Sequence, residues 1–349
     1  MKLSWEHLAL RSAAPFRTAR ATRTDRQTLW VRLEHAGIEG WGEAAPMDTY
    51  GQTPESAATA LRAIAQTLPD EPWAVESIVE GLLRRFDDQR ATVAAVDAAI
   101  HDWIGKRCAL PVVKWLGLDP RRAPLTSYTI GLDEADRIAE KVRRAAAYPI
   151  FKVKVGTDQD EETLSIIRRH APDKIIRVDA NTAWTVDEAL RRIARLVEYD
   201  IEFVEQPIPA GDPAGLRTLR DARLCPIVAD ESCVRPADVV ALAGCVDGVN
   251  IKLSKCGGLR EAIRMIHLAR GLGMKVMLGC MIESSLGIAA AAQLAPLADW
   301  LDLDGHLLLA HDPFTGLGGE GGRLRIGEAA GLGVRPVPTN PNAPRMSAG

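Results

Sequence analysis

From residue 124 to 304 the chain repeats one pattern: a short apolar run ending in polar or charged residues, then an amphipathic stretch. The apolar runs are 124-PLTSYTI-130, 150-IFKVKV-155, 174-KIIRVDA-180, 201-IEFVEQ-206, 226-PIVADE-231, 248-GVNIKL-253, 274-MKVMLG-279 and 299-DWLDLD-304. Segments between them, such as 184-WTVDEALRRIARLVE-198 and 258-GLREAIRMIHLARGLG-273, have helical periodicity, and the second ends on a glycine stop. Eight strands separated by helices predict a parallel (β/α) barrel. A doubly wound sheet would usually carry a glycine-rich phosphate turn after its first strand, and 131-GLDEADR-137 is not one.

The first 120 residues follow a different plan. The run 28-TLWVRLEHAGIEGWGE-43 predicts a hairpin turning near Ala36-Gly37. Helical stretches follow at 54-PESAATALRAIAQTL-68 and 91-ATVAAVDAAIHDWIGKR-107, the second with Val93, Val96, Ile100, Trp103 and Ile104 on one face. This is an α+β companion domain, 1–120, beside a barrel at 121–320. The remainder, 321–349, is rich in Pro, Asn and Ser from about 335, and its end is expected to be poorly ordered. A formal net charge of −3 carries no nucleic-acid or membrane footprint. The opening MKLSWEHLALRSAA has charges where a signal peptide needs an apolar run, and the six cysteines are scattered without C-x-x-C spacing. A reduced, cytoplasmic enzyme is the expectation.

The active site of such a barrel is built at the C-terminal ends of its strands. There the sequence places Lys152 and Lys154, then Asp179, Glu205, Asp230 and Lys252, and finally Asp302 and Asp304. From 154 to 179 is 25 residues, then 26, 25 and 22 to positions 205, 230 and 252, so one βα unit separates each charge from the next. A lone acid in this position would read as a helix cap or a surface ion-pair partner. Three at the tops of adjacent strands crowd together, and their repulsion raises at least one pKa unless a counter-ion is present. Oxygen ligands call for a hard divalent cation, so Asp179, Glu205 and Asp230 are assigned as ligands of one Mg²⁺. Lys154 and Lys252 then flank the metal from opposite sides. A carboxylate bound between them could lose its α-proton to one lysine, giving an enediolate, and regain a proton from the other. Lys152, on the same strand face as Lys154, could belong to a solvated edge; beside the acids it reads as a tuning group. Two ammonium groups ~7 Å apart at an effective dielectric of ~20 repel by roughly 2.4 kcal/mol, which favours a neutral Lys154.

Together 152-KVK-154, 178-VDAN-181, 203-FVEQP-207, 229-ADES-232, 249-VNIKLSKCGG-258, 40-GWGEAAP-46 and 111-PVVKWLG-117 resemble the enolase superfamily, in its muconate-lactonizing subgroup. The resemblance runs over roughly residues 10–334. It implies a modified (β/α)7β TIM-like barrel under an N-terminal α+β capping domain, with Mg²⁺ and proton abstraction next to a carboxylate, the Lys-and-Mg²⁺ chemistry for which this superfamily is a standard example. The final segment would pack back on the cap. Within the subgroup, 301-LDLDG-305 looks like the Asp-x-Asp signature of the dipeptide epimerases, where Asp302 and Asp304 would hold the substrate's ammonium group; two acids capping the next loop are the alternative. The run 279-GCMIESS-285 also looks like theirs and brings Cys280 and Met281 to the substrate. The segment 15-PFRTARATRTDR-26 resembles the family's mobile lid, about 16–27, with Arg17, Arg20, Arg23 and Arg26. In the L-Ala-D/L-Glu epimerases a lid arginine pairs with the glutamate side chain, and Arg23 takes the matching place; a solvated basic loop is the plainer reading. The tract 49-TYGQT-53 resembles a second lid loop, about 46–53, which would place Tyr50 over the site. Where the family commonly has Gly-Pro-Gly, this tail reads 327-GEAAGLGV-334. The resemblance implies a small dipeptide substrate, a homo-oligomer, and neither a nucleic-acid nor a membrane partner. Synthases of o-succinylbenzoate, N-acylamino acid racemases and cycloisomerases share the machinery, and a Schiff-base lyase or a binding protein would be other classes.

Overall fold

The computed structural model describes residues 1–19 and 21–338, apart from the side chain of Arg23. The chain opens with a long antiparallel meander, β1 (Lys2–Arg17), β2 (Thr22–His35) and β3 (Ile38–Ala44). Ala36 and Gly37, at φ 50° and 74°, make the predicted turn between β2 and β3. Three helices follow: α1 (Pro54–Ala65) packs on the sheet, α2 (Val75–Arg85) on the helix after it, and α3 (Arg90–Arg107) on the sheet. A capping box between Thr53 and Ser56 starts α1. The segment read as the first lid is the tip of a hairpin, with β1 and β2 paired as far as Arg17 opposite Thr22. The second holds a 3-10 turn, Asp48–Tyr50, closed by Gly51 in the left-handed region.

Helix α3 differs from the expectation of a single buried face. Val93, Val96, Ile100, Trp103 and Ile104 enter the core of the first domain, whereas Ala94 and Ala98 belong to the core of the second. Gly40 and Gly42 of β3 lie so close to it that a Cβ on either would collide with the carbonyl oxygen of Ala99 or Ala95. A four-residue turn, α4 (Val112–Trp115), leads to the barrel.

Among the described residues the barrel sheet has eight strands, adjacent in chain order and all parallel. They are β4 (Tyr128–Ile130), β5 (Ile150–Lys154), β6 (Ile175–Asp179), β7 (Ile201–Glu205), β8 (Ile227–Ala229), β9 (Gly248–Ile251), β10 (Lys275–Gly279) and β11 (Trp300–Asp302). The intervening helices are α5 (Ala135–Arg144), α6 (Asp160–His170), α7 (Val186–Leu196), α8 (Pro213–Asp221), α9 (Pro236–Ala241), the one-turn α10 (Leu253–Cys256) with α11 (Leu259–Gly271), and α12 (Ser285–Ala292). A parallel bridge between Thr126 and Leu301 brings the first strand against the last. The result is a (β/α)7β barrel, nearly closed, under an α+β cap. All eight apolar runs supply its strands. Phe151, Val153 and Val155 face the surrounding helices within the main core, which leaves Lys152 and Lys154 facing the barrel interior. After the last strand the chain returns to α3 and α4: Leu332 N donates to Asp102 of α3, and Val112 N of α4 donates to Gly331 O.

Candidate active site

The strand ends deliver their charged residues to one place. Asp179, Glu205 and Asp230 are fully buried, and one carboxylate oxygen from each lies within 4.8 Å of the others. Lysines from both sides surround them. Lys152 Nζ is 2.6 Å from Asp302 Oδ2, 2.7 Å from Glu205 Oε2 and 3.0 Å from Asp179 Oδ2. Lys154 Nζ donates to Asp179 Oδ2 at 2.6 Å, and Lys252 Nζ donates to Asp230 Oδ2 at 2.8 Å.

Burial alone would discharge these groups, and the ion pairs decide which stay charged. Lys152 is held well above its ordinary pKa: burial opposes the charge, but Asp179, Asp302 and Glu205 outweigh it. Burial also opposes the charge on Lys252, and Asp230 holds it high. Asp179 and Asp230 are pulled low against burial by their lysines. Glu205 goes the other way, pushed up to about 8 by burial and by Asp179. One of the three crowded acids therefore does rise. Lys152, read from the sequence as an ammonium facing Lys154, is compensated by three carboxylates.

The donor set fits a hard cation: three buried carboxylates converge, and a dication would restore the charge that Glu205 gives up. Asp179, Glu205 and Asp230 form the site for one Mg²⁺ per subunit, the one such cluster among the described residues. The backbone just past the ligands is strained. Asn181, Thr182 and Gln206 have φ of 45°, 67° and 35°, which costs about 1–3 kcal/mol each. Gln206 Oε1 accepts from Asp230 N and Ser232 N, and Asn181 N donates to Asp179 Oδ1.

Several parts of this shell lie outside the strand-end pattern. Lys255 Nζ, one helical turn beyond Lys252, donates to Asp230 Oδ1 at 2.5 Å and to Asn250 O at 3.0 Å. Asn250 Nδ2 donates to Glu205 Oε1 at 2.8 Å. Both residues stand inside the run 249-VNIKLSKCGG-258, where three-residue spacing from Lys252 was the available signal for Lys255.

Above the acids is a cleft of about 160 Å³, room for a small molecule, lined by Lys152, Lys154, Asp230, Lys252, Asp302 and Asp304 at its floor. Asp302 ends β11, but Asp304 lies beyond the strand, at the start of a 3-10 turn, so the two do not share a strand face as the sequence pattern suggests. Asp302 is already engaged by Lys152 and by Ser127 Oγ at 2.9 Å. Asp304 accepts from Thr129 N at 2.6 Å and is pushed up to about 7 by burial and by Asp302. Cys280 and Met281 line one wall, and Tyr50, whose phenol burial pushes up to about 12, lines the other with Met47 and Thr49. Of the four lid arginines, Arg26 lines the cleft and contacts Met47 Sδ. Arg20 and the side chain of Arg23 lie outside the described residues, and β2 carries Arg23 opposite Phe16.

A capped parallel barrel with a three-carboxylate metal site between opposed lysines defines a class of metal-dependent isomerases that work beside a carboxylate. Residues 5–117 match the mandelate racemase / muconate lactonizing enzyme N-terminal domain, and 134–339 match the enolase C-terminal domain-like family. An L-Ala-D/L-Glu epimerase of Bacteroides thetaiotaomicron is 37% identical over 97% of this chain and 88% of its own. A dipeptide epimerase from Methylococcus capsulatus, solved with Mg and L-Arg-D-Lys, superposes with a TM-score of 0.90 at 35% identity, over 96% of this chain and 99% of its own. Another from Enterococcus faecalis, solved with Mg and L-Leu-L-Tyr, gives 0.91 at 33%, over 95% and 98%. The chain belongs to the mandelate racemase/muconate lactonizing group of the enolase superfamily and is a dipeptide-epimerase-like member of it.

Proposed function

We propose that the protein epimerises dipeptides by 1,1-proton transfer at the α-carbon of the C-terminal residue, with L-Ala-D/L-Glu as substrate in cytoplasmic recycling of murein peptides. The observation that carries this reading is the placement of Lys154 and Lys252 on opposite sides of the acid triad, at 2.6 and 2.8 Å from its outer members. Asp179, Glu205 and Asp230 would hold Mg²⁺, which when bound supplies positive charge for the substrate carboxylate as its α-proton leaves. One lysine takes the α-proton, the C–H electron pair passes into the carboxylate to give an enediolate, and the opposite ammonium returns a proton. Lys152 stays charged between Asp179, Glu205 and Asp302 and helps balance the acids.

The carboxylate pair favours dipeptides over the o-succinylbenzoate, N-acylamino acid and cycloisomerase substrates of the same group, because only a free amino terminus calls for Asp302 and Asp304. Asp304 is the member with spare acceptor capacity, and an incoming ammonium would supply the counter-charge that burial denies it. Arg26 and Tyr50, together with Cys280 and Met281 of the other wall, are assigned to the C-terminal side chain, and the family resemblance adds Arg23 to them. The relatives differ in the residue they accept, so the glutamate assignment rests on the lid arginines. The test is incubation with Mg²⁺ and a dipeptide library in D₂O, read by mass spectrometry. L-Ala-L-Glu and L-Ala-D-Glu should gain one α-deuterium and interconvert; absence of exchange in every dipeptide would overturn the reading. Asp302→Asn with Asp304→Asn should abolish turnover.

A further inference from the structure

The two lysines that face each other across the acid triad are held by different parts of the molecule. Lys154 ends β5, and the turn after it is tied down by the barrel: Asp160, at the start of α6, accepts from Gly156 N at 2.9 Å and Thr157 N at 3.0 Å. Lys252 stands instead at the head of the one-turn helix α10, where its carbonyl accepts from Lys255 N and Cys256 N, both at 3.0 Å.

That turn is gripped from the cap. Arg90 of α3 is 7% exposed, and its Nη1 donates to Cys256 O at 2.7 Å. Asp97, two turns along α3 and fully buried, accepts from Leu259 N with Oδ2. Its Oδ1 is 3.2 Å from His101 Nδ1, and that nitrogen also lies 2.8 Å from the Asp97 carbonyl. Between the two grips the chain passes through Gly257 and Gly258, at φ 101° and 121°. A Cβ at Gly257 would strike the Leu83 side chain of α2, and one at Gly258 would strike the Asp97 carboxylate. Glycine is therefore required twice: for the backbone conformation and for the approach of two cap helices.

We propose that Arg90 and Asp97 are positioning residues for Lys252, so that the cap sets proton transfer on one face of the α-carbon while the barrel sets it on the other. Neither residue is among those lining the cleft, so each acts through the turn that carries Lys252 and Lys255. The idea rests on the two-lysine reading above and adds to it a cause of asymmetry. A lysine moved by about 1 Å loses on the order of 100-fold in proton-transfer rate, so a slackened grip needs only a small displacement to show.

The α-carbon of each epimer presents its hydrogen to one lysine. That lysine takes the proton, the C–H pair moves into the carboxylate, and the nitrogen exchanges with solvent and can hand a deuteron back to the same face. Exchange without inversion in D₂O therefore reports each lysine separately. Lys154→Met and Lys252→Met assign the epimers: exchange that survives in Lys252→Met belongs to the Lys154 face. Arg90→Met and Asp97→Ala should then behave like weak copies of Lys252→Met. Exchange of the Lys252-facing epimer should fall by about 10- to 100-fold, while exchange of the other epimer continues. Arg90→Lys, which keeps a donor for Cys256 O, should recover most of the loss. Should Arg90→Met or Asp97→Ala fail to fold, Arg90→Lys and Asp97→Asn should show a smaller bias toward the same face. An equal fall for both epimers, or no change in either, would overturn the inference. Absence of exchange in the unmodified enzyme with every dipeptide would overturn the proposed function itself, and the positioning role with it.

Discussion

Glu283 shows what single buried charges cost in this molecule. It follows the cleft-wall residues Cys280 and Met281, accepts from Met281 N at 2.8 Å, and is pushed from 4.5 up to about 7 by burial and by Glu43 of the cap. Glu43 is raised as well by burial, although Ser284 and Gly287 donate to it. A folded-state pKa above the unfolded value means that the native protein retains a proton the unfolded chain has lost. Stability contributed by this site is complete below pH 4.5 and is lost as pH rises through about 7. The loss is at most ~3 kcal/mol. Glu283→Gln should remove that pH dependence, leaving the variant more stable than the parent at pH 8 and no more stable at pH 4, as measured by urea unfolding at the two pH values. An unchanged pH profile would show that Glu283 is ionised at little cost. Nothing in 279-GCMIESS-285 announces this, because the burial of Glu283 and the nearness of Glu43 arise from elements some 240 residues apart.

At the scale of elements, legibility in the sequence follows how completely an element is buried and on which sides. The barrel strands are covered by helices outside and packed within, so they stand out as apolar runs whose charged ends mark the site. The acid triad, Lys152, Lys154 and Lys252 could be read for that reason. Strand β1 could not, because much of it alternates between exposed and half-buried residues and its hydrophobic contrast is weak. The second face of α3 was hidden differently: Ala94 and Ala98 contact the barrel core with methyl groups that also suit any helix. Lys255 reaches its acid from a helical turn, outside the strand-end rule. The close packing of β3 on α3 yields a paired prediction. Gly42→Ala would drive a Cβ into the backbone of Ala95 and should destabilise by about 3 kcal/mol. Gly81→Ala, at a half-buried position of α2 with open space around the added Cβ, should stabilise by about 0.5–1 kcal/mol. Chemical denaturation of the two variants measures both, and equal effects would contradict the packing argument.

The whole molecule couples its metal site to its fold through charge and through α3. Lys152, Lys154, Lys252 and Lys255 face Asp179, Glu205, Asp230 and Asp302, four lysines against four acids of which Glu205 is the one pushed up. A bound dication tips that balance toward positive, which suits a site for a substrate carboxylate, and it competes with Lys154 and Lys252 for the oxygens they hold. Since the cation binds only where the three strand ends converge, it stabilises the folded state by about 2.7 kcal/mol at a concentration 100 times its dissociation constant. That stabilisation should reach the cap as well as the barrel. Helix α3 contributes Ala94 and Ala98 to one core and Val96, Ile100 and Trp103 to the other, so the cap cannot unfold alone without stripping the barrel of part of its core. Calorimetry should therefore record one cooperative transition in EDTA and one in excess Mg²⁺, the second higher by a few degrees. Asp179→Asn with Asp230→Asn should lose the Mg²⁺-dependent rise while keeping the single transition. Two transitions, only one of which moves with Mg²⁺, would mean that cap and barrel fold separately and that the shared helix does not join them.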